Sequence, residues 1–141
     1  MKPIFFLLLI IFSILTFLYS NGLTFNNNAI HYFKYEKALQ LAQKENKILM
    51  IKLTAEHCQY CKKMDREVFT KKEVISTLNK NFIAIEIDVD KDSIPLNIKR
   101  TMTPTFIFVN KNQKIISKIP GSWNKKDFLD ILKSVKNKKE K

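Results

Sequence analysis

Cys58-Gln59-Tyr60-Cys61 sets the chain's only two cysteines three positions apart, just where a continuous apolar run gives way to helix-period patterning. Three residues is nearly one helical turn, so the two thiols fall close enough to form a disulfide without moving the backbone. A helix start also offers unpaired N–H groups and a partial positive charge, and both stabilise a thiolate on the first cysteine. Cys58 is therefore the candidate nucleophile. Cys61 shares an apolar face with Met64 and Val68, which makes it the candidate resolving thiol, shielded from water and placed to attack a mixed disulfide on Cys58. The alternatives are a permanent structural disulfide or part of a metal site. A bridge across two residues closes too small a loop to restrain the unfolded chain much. His57 beside the two thiols would supply three soft or borderline metal ligands, but no fourth lies near and His31 is distant in sequence. The spacing thus favours redox chemistry by the cysteine pair itself, with no cofactor and no metal.

The elements that must hold this pair are legible in the hydrophobic periods. Ile48 to Thr54 is apolar but for Lys52 and reads as a central strand, and the helical face Cys61, Met64, Val68 follows it. Thr70-Lys71-Lys72-Glu73 has the form of a capping box, so the helix restarts or kinks there before Val74, Ile75 and Leu78. Phe82 to Val89 reads as a second strand, alternating at its end, with Ile85, Ile87 and Val89 on one side and Glu86, Asp88 and Asp90 on the other. Strand, helix, strand at this separation is a parallel crossover. Upstream, residues 30–33 form a short strand, and Tyr35, Ala38, Leu39 and Ala42 mark an amphipathic helix. Downstream, Ser93 to Arg100 is at best a short helix. Thr105 to Asn110 and Lys114 to Ile119 pair as an antiparallel hairpin through the turn residues Asn110 to Gln113. Asn124 caps a closing helix with the stripe Phe128, Ile131, Leu132, Val135. The fold class is α/β, a central sheet flanked by helices.

The first twenty residues are of different composition. Met1-Lys2 precedes an apolar run from Ile4 to Leu18, and Tyr19 to Gly22 turns polar, the pattern of a secretory signal peptide. The run falls short of the roughly 20 apolar residues of a spanning helix, so cleavage is expected, after Ser20 or after Gly22, with retention as an uncleaved anchor the alternative. Residues 1–20 are then the signal peptide and 21–141 a single domain, with 136–141 a basic tail. The domain leaves the cytoplasm, and the membrane is met only through the N-terminal segment if that segment stays. The net charge of +12 comes from 25 basic against 13 acidic side chains, but all the basic residues except Arg66 and Arg100 are lysines, spread along the chain. Nucleic-acid recognition favours clustered arginine, so nucleic acid is not the expected partner. With only two glycines there is no phosphate-cradling loop.

Three stretches together resemble the thioredoxin-like family over roughly Tyr35 to Lys136: Ile48 through Met64 with its cysteine pair, Thr103-Pro104-Thr105 before a strand, and Gly121 after the hairpin. The resemblance implies a mixed sheet flanked by helices, with Pro104 in cis beside the cysteines, where sequence alone favours a trans proline opening an edge strand. It implies that the Thr103 backbone pairs with an extended segment of a protein substrate, and it makes Tyr60 and His57 candidate substrate contacts. Two departures stand out. His57 occupies the place of the usual tryptophan, where its imidazole could tune the Cys58 thiolate, and Lys52 aligns with the usual buried acid. The helix start, then His57 and the screened charges of Lys62 and Lys63 one turn away, all favour a Cys58 thiolate with no acid at Lys52 to oppose it. The Cys58–Cys61 couple is therefore expected to be less reducing than thioredoxin's roughly −270 mV, at around −250 to −150 mV. Tyr60 between the cysteines and Thr103 before Pro104 are similar to the pattern in exported, periplasmic isomerases and reductases. The function this implies is thiol-disulfide exchange on protein substrates, reducing or isomerising rather than oxidising, with electrons from a membrane donor protein because the compartment is oxidising. The alternatives are a thioredoxin-fold binding module and a membrane-tethered adaptor, with thiols that are structural or bind a metal.

Overall fold

Six consecutive residues, Ile48 to Leu53, are buried without interruption, which is what a strand shows when helices cover both faces of its sheet. The computed structural model describes residues 12–13 and 29–139. The expected signal peptide and its cleavage region lie outside them apart from Phe12 and Ser13. After helix α1 (Tyr35–Lys44) comes strand β1 (Ile48–Thr54), then α2 (Gln59–Glu67), α3 (Lys72–Asn81), β2 (Phe82–Asp88), β3 (Thr105–Val109), β4 (Ile115–Pro120) and α4 (Lys125–Lys139). The sheet order is β2-β1-β3-β4. β2 is parallel to β1, with Ile48 opposite Phe82 and Lys52 opposite Glu86. β3 is antiparallel to β1, with Leu53 opposite Thr105, and β4 is antiparallel to β3.

Period-two alternation sorts the strand side chains into two cores. Ile48, Met50, Phe82, Ala84, Phe106 and Phe108 pack on one face with Met64, Val74, Leu78, Phe128, Leu132 and Val135 from α2, α3 and α4. Phe69, Phe106 and Phe128 interlock there, Phe69 edge-on to Phe128 with centroids 5.3 Å apart. Leu49, Ile51, Leu53, Ile83, Ile85, Ile87, Ile107 and Val109 fill the other face beneath α1. Ala38 and Ala42 are fully buried at that contact, and side chains this small let the helix axis come close to the sheet.

Several local expectations need correction. Residues 30–33 form only an isolated bridge, Tyr32 with Ala84. The capping box does not close: Lys71 is the α3 N-cap residue and makes no side-chain cap, because the Thr70 hydroxyl donates back to the Arg66 carbonyl at 2.7 Å. Ser93 to Arg100 is not a helix. Pro95 has no N–H to give, and Leu96 and Asn97 have φ of 61° and 52°, which ends any right-handed turn. Ile94, Leu96 and Ile98 instead pack at period two on the α1-side core. α4 continues to Lys139, so the lysine-rich end is helical through that residue. Asn124 does cap it: its side-chain oxygen accepts the Asp127 amide at 2.9 Å, and its own amide donates to the Asp127 carboxylate at 2.8 Å. The hairpin turn closes around Asn110, whose side-chain oxygen accepts the amides of Asn112 and Lys114, both at 3.0 Å.

Candidate active site

The strand register delivers three loops to one end of the sheet. β1 ends at Thr54, four residues before Cys58. β3 begins at Thr105, opposite Leu53 on one side and Pro120 on the other. The segments Ala55–Cys58, Met102–Pro104 and Gly121 therefore emerge side by side. The Thr103–Pro104 peptide bond is cis. Thr105 donates its hydroxyl to the Met102 carbonyl at 2.6 Å, and the Gly121 amide donates to the Pro104 carbonyl at 2.8 Å. Gly121 has φ of 100°, a conformation in which a side chain is strained.

Cys58 and Cys61 are joined by a disulfide with Cα atoms 5.2 Å apart. Cys58 is the N-cap residue of α2, and its sulfur accepts the Cys61 amide at 3.1 Å. The first turn of α2 carries no acidic residue, so nothing there opposes negative charge on that sulfur once the bond is reduced. Cys58 is 8% exposed and Cys61 2%. Cys58 is the less deeply buried of the two. His57 is exposed, and Tyr60 (65%) and Met102 (61%) stand out from the surface on the CxxC and cis-proline segments. Trp123, two residues past Gly121, donates its backbone amide to the Met64 sulfur at 3.1 Å.

Lys52 requires the largest correction. Its place does not leave the site without acids: Lys52 is fully buried, and its ammonium lies 2.5 Å from Asp65 Oδ1 and 2.6 Å from Glu86 Oε2. The ring of Phe69 lies 5.1 Å from the same nitrogen and that of Tyr32 5.9 Å. Burial, and then the carboxylates of Glu86 and Asp65, push the Tyr32 phenol well above the ordinary tyrosine range. Two acids thus converge on the position where the family pattern has one, and with the lysine they form a cluster of one net negative formal charge. Asp65 is four residues from Cys61 on α2, which makes the two neighbours on the helix surface.

Neither acid stands out in sequence: Asp65 becomes visible only at four residues from Cys61, and Glu86 only when the parallel register sets it opposite Lys52. Asp90 and Arg100 also escape sequence reasoning. Arg100 pairs with Asp90, and the exposed Glu56 pairs with Lys91 at 3.2 Å. Among the described residues, no group of three His, Cys, Asp or Glu side chains is placed to hold a metal ion, and no helix is long and apolar enough to cross a membrane.

A family model described as a thioredoxin-like domain matches residues 35–136. Among solved structures the chain is similar to a thioredoxin from Thermus thermophilus, with 28% identity and a TM-score of 0.68 over 76% of this chain and 87% of that one. It is similar also to a DsbH oxidoreductase (17%, TM-score 0.67, 83% and 92% covered) and to a disulphide isomerase from Xylella fastidiosa Temecula1 (17%, TM-score 0.59, 82% and 98% covered), which share its fold. No curated protein matches it. The family match runs from α1 into α4 and takes in all four strands, both cysteines and the cis proline: the chain belongs to the thioredoxin-like family.

Proposed function

We propose that this thiol-disulfide oxidoreductase is exported to the periplasm and reduces or isomerises protein disulfides there, drawing electrons from a membrane donor protein. The observation that carries the exchange chemistry is the asymmetry of the pair. Cys58 caps the start of α2 and is the more exposed of the two residues, and Cys61 is more deeply buried one turn behind it. In the reduced protein the Cys58 thiolate attacks a client disulfide, forming a mixed disulfide and releasing one client thiolate. Cys61 then loses its proton to solvent and attacks Cys58, which closes the Cys58–Cys61 bond and releases the second client thiolate. The pair of electrons passes from the protein to the client, and the donor must restore it. The Thr103 backbone beside the cis peptide bond would pair with the extended client, and Tyr60 and His57 would flank it.

Trapping in cells that express the full chain tests this reading. Cys61→Ser keeps the attacking thiol and loses the resolving one, so it is expected to accumulate mixed disulfides with periplasmic proteins, whereas Cys58→Ser is expected to accumulate none. The same adducts from both variants would refute the assigned roles, and adducts with cytoplasmic proteins would refute export. The mass of the native protein reports the mature terminus, expected near Asn21 or Leu23.

A further inference from the structure

Cys58 and Thr103 lie on different segments, and neither a strand nor a helix holds both. The residues before Cys58, Ala55 to His57, lie past the end of β1, and residues 98–103 lie before β3. One carboxylate links them. Asp90, just past the end of β2, accepts the Glu56 amide on Oδ2 at 3.2 Å and takes the Arg100 guanidinium on Oδ1. The other terminal nitrogen of Arg100 donates to the Val89 carbonyl at 3.3 Å, so the guanidinium spans a backbone and a side-chain oxygen of adjacent residues.

The node is itself held in place. The Asp90 amide donates to the Asp88 carboxylate at 3.0 Å, the Asp88 amide to Asp92 at 3.1 Å, and the Val89 amide to the Thr54 carbonyl at 2.9 Å. Lys91 joins the Glu56 and Asp88 carboxylates across the same junction. The residue type also fits. Only a guanidinium presents two nitrogens in a fixed fork, and Arg100 is one of just two arginines among 25 basic residues. These side chains are exposed, Arg100 by 63%, and exposed pairs add little to stability. What such a contact can set is a distance.

We propose that Asp90 and Arg100 form a strap fixing the separation between the Cys58 sulfur and the client-pairing backbone of Thr103, and so act as positioning residues for exchange with extended protein clients. The inference rests on the exchange chemistry of the preceding section. Arg100 fixes the approach to Met102-Thr103, and beyond it the Thr105 hydroxyl and the Gly121 amide hold the turn. Loss of either strap residue frees the near side of that frame and leaves Cys58 on its helix. Clients that use both the sulfur and the Thr103 backbone lose rate, and small reagents that use the sulfur alone do not.

The test compares wild type, Asp90→Asn, Arg100→Gln and the double variant, all as the full mature chain. Each single variant is expected to lower kcat/KM for reduction of a disulfide-bonded peptide about tenfold, mainly through KM, since a misplacement of about 1 Å can cost up to about 100-fold. The double variant is expected to lose no more than either single one. Alkylation of reduced Cys58 by iodoacetamide and the equilibrium with glutathione should stay within about twofold of wild type. Amide exchange reads the strap without activity: residues 101–103 are expected to exchange faster in both single variants, Glu56 only in Asp90→Asn, and β1 in neither. Unchanged peptide kinetics, a parallel fall in alkylation, or unaltered exchange at 101–103 would each overturn the strap. A wild-type protein that alkylates normally but reduces no peptide disulfide would overturn the proposed function instead, and the exchange data would still decide the strap.

Discussion

Lys52 on β1 and Glu86 on β2 stand opposite one another in the parallel register, and their charged ends meet at 2.6 Å, the ammonium fully buried and the carboxylate 38% exposed. Asp65, 48% exposed, closes the cluster from α2. The burden of burial is therefore one-sided. The acids keep part of their hydration, and the lysine keeps none.

That asymmetry predicts opposite costs for removing opposite partners. Asp65→Asn with Glu86→Gln leaves an ammonium in the core without a counter-charge, a change that costs about 3–5 kcal/mol when a buried pair is broken. Lys52→Met replaces the buried charge with an apolar chain of similar length and lets both acids turn to water. Its loss is expected to be less than about half as large. Urea unfolding followed by the fluorescence of Trp123, the only tryptophan, measures both. Equal losses would show that the burial cost is shared and not one-sided.

The same cluster is expected to bear on the redox poise. A thiolate stabilises the reduced form and makes the disulfide a stronger oxidant. The α2 N-terminus favours thiolate on Cys58, but the cluster around Lys52 carries a net negative charge, and its Asp65 lies one turn from Cys61 on α2. The couple is therefore expected near the reducing end of its range, closer to about −250 than to about −150 mV. Lys52→Met doubles the negative charge there and is expected to make the couple more reducing. Equilibration of both proteins with glutathione at pH 7 gives the values. A shift of Lys52→Met toward oxidising potentials would sink this account of the cluster.

How much of this was legible in the sequence depended on the range of the interaction. The cysteine pair, the central strand, the hairpin turn at Asn110 and the Asn124 cap were read correctly because each is specified by residues within about one turn of one another. The 93–100 segment was misread because Ile94, Leu96 and Ile98 are apolar for tertiary reasons: they pack on the α1-side core. Thr70 was misread because its hydroxyl had two local acceptors or donors to choose between, and the sequence does not say which wins. The environment of Lys52 is set at long range, by Glu86, 34 residues away, and by a helix face whose rotation the sequence leaves open.

Asp90 gives a prediction with a definite sign in pH. The Arg100 guanidinium, then the Glu56 amide, hold its carboxyl below the ordinary aspartate value. A group depressed on folding contributes stability that is complete above the unfolded value, about 3.9, and is lost as pH falls through the lower folded one. Because the pair is exposed its margin is small: wild type should exceed Asp90→Asn in stability by a slight, constant amount from pH 7 down to about 4, and the two should converge only below that. Lys91 behaves in the opposite sense, because the hydrogen bond to Glu56 raises it, so its share is lost only as pH rises through its folded value and does not enter this window. Urea midpoints across pH 2.5 to 7 for the two proteins, read by Trp123, follow the difference directly. A margin already gone at about pH 5 would mean that Arg100 and Glu56 do not grip Asp90 in solution, and that the contact joining the two loops of the site is not held by its charge.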